Sequence, residues 1–337
     1  MIIIAVVTAA IALALTAMIR RMSLRRGHLD IPNERSSHSS PTPHGGGIAV
    51  VAALVVAGLM LLGADKLSTH DFVAVFVPGL AIAVVGRLDD LGRLTSAKWR
   101  LFIHFVIAAF AIWYLGGLPE LILFDAAIDF SILGNCVAIV YLVWLLNLFN
   151  FMDGIDLITT VETVTVCLVA AWILQVKADS DLWMLIASIG AALIGFGVFN
   201  LPPAKIFLGD VGSAFIGATI GIVTIIVADE SPLVAWSMVI LLATFVSDST
   251  VTLLRRLVSR QHVYKAHRTH AYQHLTTRLD SHLAVSLGVG AINLIWLAPI
   301  AWLVADSKIV PLAGIAIAYP PLILTAYKLQ AGKPRLN

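Results

Sequence analysis

Charged residues are scarce in this sequence. Lys, Arg, Asp and Glu together make up 12% of its 337 residues, whereas a soluble domain carries about a quarter. Hydrophobic residues make up 59% and the mean hydropathy is +0.94, which excludes an ordinary soluble protein and indicates an integral membrane protein. Cysteine is rare too: Cys136 and Cys167 both lie in apolar stretches, where a thiol is most simply a small hydrophobic side chain.

Motifs of several other function classes are absent. The sequence has no GxxxxGK[ST] segment, which argues against an ATP-driven pump. It has no HExxH segment, and no cysteine accompanies its histidine-rich loop, so a metalloprotease-like zinc site is not expected. The net charge of +2 implies no special partner, and no nucleic acid is expected.

Long apolar stretches account for most of the chain. A helix needs about 20 mostly apolar residues to cross a bilayer. With no internal repeat in sight, we predict an all-α polytopic membrane protein with about 11 transmembrane helices, built as a single domain over residues 1–337. The predicted spans lie near 1–19, 47–63, 72–86, 101–117, 132–149, 157–176, 182–200, 211–228, 233–254, 283–304 and 309–327.

The positive charges predict the orientation. Lys and Arg in short loops stay on the cytoplasmic side of a membrane. With the N-terminus outside and the C-terminus inside, 19 of the 22 Lys and Arg lie inside, and only Lys66, Lys177 and Lys308 lie outside. The first span is not expected to be a cleavable signal peptide, because its arginines follow the apolar residues instead of preceding them.

The first two inside loops combine chain-breaking residues with carboxylates. Residues 30–47 contain three prolines and end in three glycines that allow close backbone approach to a ligand, and Arg35 and His38 could bind phosphate. The second loop opens with Asp89 and Asp90, which repel each other unless they are solvated or share a cation such as Mg²⁺. A flexible turn and a solvated helix end are the plain alternatives.

The third and fourth inside loops are more polar than a turn requires. Asn147, Asn150, Asp153 and Asp156 interrupt an apolar run and offer hydrogen bonds to a sugar, a base or a hydrated metal ion. In the fourth loop, Asp210 lies between two glycines at the mouth of a span, where it can approach a metal ion. A short polar hairpin and a helix-capping aspartate are the respective alternatives.

The fifth inside loop is rich in histidine and positive charge. Three of its five histidines, at 267, 270 and 274, have helix-like spacing and could share one helical face. The density of Arg and Lys favours an anion over a cation, and a diphosphate fits best; contact with anionic lipid is the alternative.

Three ionisable residues fall within predicted spans or near their ends. Asp248 lies seven residues before Arg255 on about the same helical face, so it could form a structural ion pair or a wall of the site. Glu162 and His104 lie near inside ends and could be simple interfacial residues.

Together these loops suit phosphoryl transfer between a water-soluble diphosphate and a lipid-borne phosphate, which needs positioning and neutralisation of oxygen charge. The main alternative is a multi-span transporter of a lipid or a nucleotide sugar. Carriers, however, usually place their sites near mid-membrane and show repeated halves. A scaffold protein would need no such set of carboxylates.

The loops also carry a family resemblance. The chain resembles the polyprenyl-phosphate N-acetylhexosamine-1-phosphate transferases, glycosyltransferase family 4, from Asp30 to about Gln273, and its fifth loop looks most like the short, O-antigen-initiating branch. The segments that carry the resemblance, in the family's order, are Asp30–Gly47, Asp89-Asp90, Asn147–Asp156, Lys205–Ser213 and Ala266–Gln273.

The resemblance implies a reaction and its setting. A UDP-sugar and undecaprenyl phosphate would give undecaprenyl-diphospho-sugar and UMP, with Mg²⁺ as cofactor and Mn²⁺ as the alternative ion. The enzyme would lie in the bacterial inner membrane, contact membrane lipids, and act on its cytoplasmic face to initiate O-antigen or a related polysaccharide. The chain could pair as a homodimer.

The resemblance also implies residue roles. Asp210 is expected to be the main metal ligand with Asp90 beside it, and Asp89 to serve as a base for the lipid phosphate. The expected substrate-binding residues are Arg35, His38, Asn147, Asn150, Asp153, Asp156, Asn200, Lys205, His267, Arg268 and His270.

Three features depart from the family pattern. Leu157 stands where many relatives have a glycine, so a less tight turn is expected there, and His104 replaces a common glutamine. The fifth loop lacks the HIHH-like string of the GlcNAc-transferring branch. This last difference favours a UDP-N-acetylhexosamine of the FucNAc or QuiNAc type as donor, with the GlcNAc type as the alternative.

Overall fold

The fold is helical almost throughout in a computed structural model that describes residues 2–32, 40–93, 96–123, 126–178, 180–261 and 267–334. The only strands among these residues form two short hairpins, β1 (Leu29–Asp30) with β2 (Thr42–Pro43) and β3 (Leu121–Leu123) with β4 (Ala126–Ile128). The helices are α1 (Ile2–Arg26), α2 (Gly47–Gly63), α3 (Thr69–Asp90), α4 (Ala97–Tyr114), α5 (Ser131–Met152), α6 (Ile158–Lys177), α7 (Trp183–Asn200), α8 (Gly209–Glu230), α9 (Pro232–Leu241), α10 (Ala243–Val258), α11 (Ala271–Leu279), α12 (His282–Ala291), α13 (Ala298–Ala305) and α14 (Pro311–Lys328).

The predicted class, an all-α polytopic membrane protein, is confirmed. Within the described residues, eight helices are long and apolar enough to cross a membrane, or nine if α9 and α10 count as one span. Each of the eleven predicted spans coincides with a helix or with consecutive helices. The count of eleven stays a prediction, because α2 is a shorter apolar helix and α14 is not among the eight.

Two predicted spans are broken in the structure. The ninth bends by 60° between α9 and α10. The tenth contains a π-helical turn, Ile292–Leu297, between α12 and α13. Asn293 in this turn donates to Glu162 Oε2 at 2.7 Å and accepts from Thr244 Oγ1 at 3.0 Å. Glu162 is fully buried, so its expected interfacial position is wrong; it ties the π-helical turn to α6 within the bundle.

Helix α8 forms the centre of the bundle. Its apolar window is wholly buried, and it packs most extensively against α3 and α5. Glycines permit this approach: a Cβ at Gly86 of α3 would lie 2.7 Å from the carbonyl carbon and oxygen of Asp210, and one at Gly217 of α8 would lie 2.8 Å from Leu145 O of α5. The C-terminal end of α3 is therefore held directly against the start of α8.

The connections gather at two ends of the bundle. At one end, Asp90, Asp156, Asp210 and the start of α12 lie together. At the other end, Lys66 pairs with Asp181 at 3.1 Å, and Trp236 Nε1 donates to Ile122 O at 2.8 Å. The five loops predicted to share one face thus meet at one end wherever the structure describes them, and the cytoplasmic assignment of that end stays a prediction.

Replacing Gly86 with Ala should destabilise the α3–α8 contact. The new methyl group meets backbone, which cannot move aside as a flexible side chain can, so we expect a cost of about 1–3 kcal/mol. Thermal unfolding of the detergent-purified protein measures it. Gly63→Ala is the matched control, because a Cβ there meets nothing within 4 Å; equal midpoints for both variants would contradict the packing argument.

Labelling of single cysteines tests the predicted orientation. Two variants place a cysteine at an exposed helix C-cap: Ala64→Cys follows α2, and Ser259→Cys follows α10. In a background without Cys136 and Cys167, a membrane-impermeant maleimide added to intact cells should label position 64 and spare position 259. Labelling of position 259 from outside would contradict the predicted topology.

Candidate active site

The carboxylates of Asp89, Asp90 and Asp210 lie close together where α3 ends and α8 begins. The backbone amide of Asp210 donates to Asp90 Oδ1 at 3.1 Å, so the two helix ends are joined at the carboxylates themselves. Gly209 adopts φ +77, and a Cβ there would lie 2.4 Å from His44 Cε1 and 3.1 Å from Asp90 Oδ2. Glycine is required at this position both by its backbone conformation and by its neighbours.

Two basic side chains, Arg100 and His44, lie against these carboxylates, and the sequence motifs did not point to either. Arg100, in the first turn of α4, forms an ion pair with Asp89, and its Nη1 lies 3.6 Å from Asp210 Oδ2. His44 Nδ1 lies 3.7 Å from Asp90 Oδ2. His44 directly precedes the three glycines of the first loop, and Arg100 lies in the first turn of the helix that follows Asp89-Asp90. Only these positions beside the motifs could have indicated them.

A cavity of about 740 Å³ opens beside this cluster. Asp89, Arg100 and Asp210 line it together with residues from the third and fifth loops. Its remaining wall is apolar and comes from α4, α5 and α10: Leu101, Phe105, Val140, Val143, Trp144 and Leu253. We call it the first cavity. It combines a charged end with a hydrophobic side formed by membrane-spanning helices.

Asn147 and Asn150 both line the first cavity. Asn147 Nδ2 donates to Val143 O at 2.7 Å within α5, which leaves its oxygen as an acceptor. Asn150 Nδ2 lies 3.4 Å from Ser213 Oγ of α8, a long contact that a ligand could replace.

Asp153 ends α5 and lines neither cavity described for this end of the protein. Burial raises the pKa of its carboxyl to about 8, and the nearby carboxylates of Asp210, Asp156 and Asp90 act in the same direction. At neutral pH this group is therefore mostly protonated and able to donate a hydrogen bond.

Asp156 faces a second cavity, of about 560 Å³, which Arg268 and His282 also line. Its Oδ2 accepts from the backbone amide of Ala204 at 3.1 Å and lies 3.2 Å from His282 Nδ1. Ser286 Oγ donates to the Asp156 carbonyl at 2.8 Å. The start of α12 thus fixes Asp156, a role for His282 that its place among five loop histidines did not reveal.

Asn200 and Lys205 lie apart from both cavities. Asn200 is buried; its Oδ1 accepts from the Leu157 amide at 2.7 Å and its Nδ2 donates to Ile206 O at 3.0 Å. It joins the third loop to the fourth. The Lys205 side chain is exposed on the fourth loop.

The turn at Leu157 requires a left-handed backbone conformation, which a residue with a Cβ rarely adopts. Leu157 takes this conformation, with φ 68 and ψ −12, which glycine adopts more readily. Such a conformation costs a residue with a Cβ about 1–2 kcal/mol. Burial of the side chain and the hydrogen bond that the Leu157 amide donates to Asn200 Oδ1 offset this strain. The expected loosening of the turn stays a prediction.

Asp248 organises the segment that we call the histidine loop, residues 267–270. Its carboxylate accepts from the backbone amides of Ala271 and Tyr272, both at 2.9 Å, and lies 3.3 Å from His270 Nδ1. It therefore caps α11 and does not pair with Arg255. Because α11 begins at Ala271, His267 lies outside the helix, and the predicted common helical face of His267, His270 and His274 is wrong.

His267 and His270 stack with ring centroids 5.1 Å apart and both line the first cavity. Burial, aided by His270 and Arg256, lowers the pKa of His267 to about 3. His267 is thus a neutral hydrogen-bonding group at neutral pH. A diphosphate beside it would favour its protonation.

Arg35 and His38 lie outside the described residues, as do His262 and Lys265 of the fifth loop. Among the described residues, no group of three or more His, Cys, Asp or Glu is arranged to hold a metal ion. Asp90 and Asp210 still fit a Mg²⁺ site of two carboxylates, since Mg²⁺ commonly takes its other ligands from water and phosphate. Asp90 Oδ2 is buried without a hydrogen-bond partner, as expected of an oxygen that binds a cation.

Comparison with known proteins identifies the family. Residues 72–228 match the model of glycosyl transferase family 4. A probable undecaprenyl-phosphate N-acetylglucosaminyl 1-phosphate transferase of Bacillus subtilis is 27% identical over 285 residues, 80% of this chain and 75% of that protein. A phospho-N-acetylmuramoyl-pentapeptide-transferase of Lactococcus lactis is 31% identical over 237 residues, 67% and 70% of the two chains, and one of Streptococcus pneumoniae is 26% identical over 236 residues, 68% and 70%. The chain therefore belongs to glycosyl transferase family 4, the superfamily of polyprenyl-phosphate N-acetylhexosamine-1-phosphate transferases.

Proposed function

We propose that this enzyme transfers a sugar-1-phosphate from a UDP-N-acetylhexosamine to undecaprenyl phosphate, with release of UMP, on the cytoplasmic face of the bacterial inner membrane. The observation that carries the proposal is the composition of the first cavity. One protein surface offers carboxylates and a guanidinium at one end and an aliphatic and aromatic wall along its side. Those are the requirements of a phosphate head on a long hydrocarbon chain.

The lipid phosphate would bind between Arg100 and the carboxylates. Arg100 can form two parallel hydrogen bonds to a phosphate, which its planar guanidinium favours. The prenyl chain would follow Phe105, Val140 and Trp144 toward the bilayer. A site at the helix ends, joined to the membrane interior by an apolar wall, supports a transferase over a carrier with a mid-membrane site.

The donor would reach the same carboxylates from the other side of the third loop. Asp156 and Arg268 line the second cavity, and His267 and His270 line the first. We propose that the nucleotide occupies the second cavity and that the diphosphate lies along the histidine loop, with Asn147 and Asn150 toward the sugar. Asn200 acts by positioning Leu157 and the third loop. Arg35, His38 and Lys205 remain proposed substrate-binding residues.

The reaction exchanges one phosphate–oxygen bond for another. An oxygen of the lipid phosphate bonds to the phosphorus next to the sugar, the bond from that phosphorus to the bridging oxygen breaks, and UMP leaves with that oxygen and the bonding electrons. Mg²⁺ at Asp90 and Asp210 would neutralise the oxygen charge that develops. A two-step route through an enzyme aspartate gives the same products.

Asp89 would serve as the base for the lipid phosphate. Its carboxylate oxygen Oδ2 is occupied by the Arg100 guanidinium, which leaves that oxygen unavailable to a proton. A basic role therefore requires Arg100 to move from Asp89 to the incoming phosphate. Binding of the lipid and activation of Asp89 would then be one event.

The donor sugar and the pathway are part of the proposal. The fifth loop supports a FucNAc-type or QuiNAc-type donor, with the GlcNAc type as the alternative. The product would initiate O-antigen or a related envelope polysaccharide.

The purified protein should release UMP from at least one UDP-N-acetylhexosamine only when undecaprenyl phosphate and Mg²⁺ or Mn²⁺ are both present. Asp210→Asn should lower the rate by about two to three orders of magnitude, because it removes a carboxylate that would hold the cation against the reacting phosphate. Asp181→Asn, at the opposite end of the bundle, is the control for loss of a carboxylate charge alone. UMP release that persists in EDTA, or full activity of Asp210→Asn, would contradict the metal assignment.

Trp144→Ala should raise the KM for undecaprenyl phosphate roughly tenfold, a loss of about 1.4 kcal/mol, and leave the KM for the UDP-sugar unchanged. Trp113→Ala is the matched control, since that indole is exposed on α4 and does not line the first cavity. An equal effect of the two variants, or a selective loss of UDP-sugar binding in Trp144→Ala, would show that the lipid does not lie along this wall.

A further inference from the structure

The last described residues of the chain fold back onto the histidine loop. We call residues 329–334 the C-terminal tail. The backbone amide of Gly332 donates to Thr269 O at 2.7 Å, a good hydrogen bond between the tail and one of the two residues that separate His267 from His270. Ala331 of the tail is fully buried and packs with Ala271 at the start of α11 and Ala326 of α14.

Gly332 fits its place only as glycine. Its φ is +79, which residues with a Cβ rarely adopt, and a Cβ there would lie 2.9 Å from both Thr252 O and Arg255 Cβ of α10. The tail therefore runs in direct contact with the backbone of α10, at the height where that helix supports the histidine loop.

The chain leading into the tail is anchored as well. The guanidinium of Arg255 lies 4.3 Å from the ring centre of Tyr327, and its Nη1 donates to Tyr327 O at 3.2 Å. The end of α14 is thereby fixed on α10 immediately before the tail begins. These contacts, together with the burial of Ala331, make the tail a packed element and not a loose end.

Thr269 transmits the position of the tail to the cavity. Its hydroxyl lies 3.1 Å from His267 Nδ1 and 3.4 Å from Arg256 Nη1. His267 in turn stacks on His270, and both imidazoles line the first cavity. Release of the Thr269 carbonyl would break the backbone hydrogen bond that joins this side of the loop to the tail, and the two rings would be free to shift.

We propose that the C-terminal tail is a positioning element of the active site, in which Gly332 holds Thr269 so that His267 and His270 present their nitrogens to the donor diphosphate. The kinetic part of this inference rests on the proposed function. The contact between tail and loop does not, and it can be tested by itself.

Two variants disrupt the tail, and two controls match them. Gly332→Ala places a methyl group against α10, and truncation after Leu329 removes the tail entirely. Lys333→Ala changes an exposed neighbour, and truncation after Pro334 keeps every contact described above. We expect faster hydrogen exchange at residues 267–270 in the first pair only. We also expect the KM for the UDP-sugar to rise about tenfold or more in that pair, since small misplacements of binding groups are costly.

A tail with a merely structural role would lower the folded fraction without changing either KM in the molecules that remain folded. A KM for undecaprenyl phosphate that stays constant while the KM for the UDP-sugar rises would support positioning. Faster exchange at 267–270 with unchanged kinetics of both substrates would overturn it.

Two outcomes separate this inference from the proposed function. If the wild-type protein releases no UMP from any donor, the proposed function fails, and the tail is judged by exchange alone: unchanged exchange at 267–270 on truncation overturns the inference. If neither disrupted variant accumulates, exchange of the wild-type Gly332 amide decides. Protection comparable to the helix amides of α11 supports the tie to Thr269, and rapid exchange overturns it.

Discussion

The meeting of Asp89, Asp90 and Asp210 where α3 ends and α8 begins is the constraint on which the rest of the site depends. Three carboxylates at this spacing repel one another, and Arg100, which contacts Asp89 and Asp210, offsets only part of that repulsion. The arrangement persists because the backbone enforces it: the Asp210 amide binds Asp90, and Gly86 lets α3 approach the start of α8. A site held in this way is short of positive charge, which favours a divalent cation and discourages a bare phosphate until that cation is present.

The surrounding loops extend this cluster into two cavities with different walls. The first cavity continues into apolar residues of α4, α5 and α10, while the second is lined by Asp156, Arg268 and His282 at the start of α12. The third loop lies between them and is fixed from both sides, by Asn200 beneath it and by His282 and Ser286 beside it. In the proposed reaction this division keeps the lipid and the nucleotide apart until their phosphates meet at the carboxylates.

Hydropathy was sufficient to predict the helices, because each apolar run of the right length has to satisfy its backbone polar groups within one helix. Loop chemistry likewise predicted that Asp89, Asp90, Asn147, Asn150, Asp210, His267 and His270 belong to one end of the protein, and all of them line or adjoin the first cavity. What the sequence could not indicate were partners distant along the chain. His44 approaches Asp90, and Asp248 caps α11, only through tertiary packing.

At particular residues, tertiary packing also imposed a backbone conformation that the local sequence does not favour. Leu157 accepts a left-handed backbone because the third and fourth loops hold it there, and α9 and α10 bend where an unbroken apolar run predicted one span. The sequence position of Glu162 suggested an interfacial residue. Inside the bundle, however, a π-helical turn brings Asn293 to Glu162, and the hydrophobic pattern of the sequence does not predict such a turn.

The fate of the phosphorus next to the sugar tests the central claim most directly. Donor UDP-sugar labelled with ³²P at that position, incubated with the protein, undecaprenyl phosphate and Mg²⁺, can be separated into lipid and water phases. Sugar-1-phosphate transfer predicts that the label enters the lipid together with the sugar and that the released UMP is unlabelled. Label that stays in the water phase as UDP while the sugar enters the lipid would mean transfer of the sugar alone and would contradict the account.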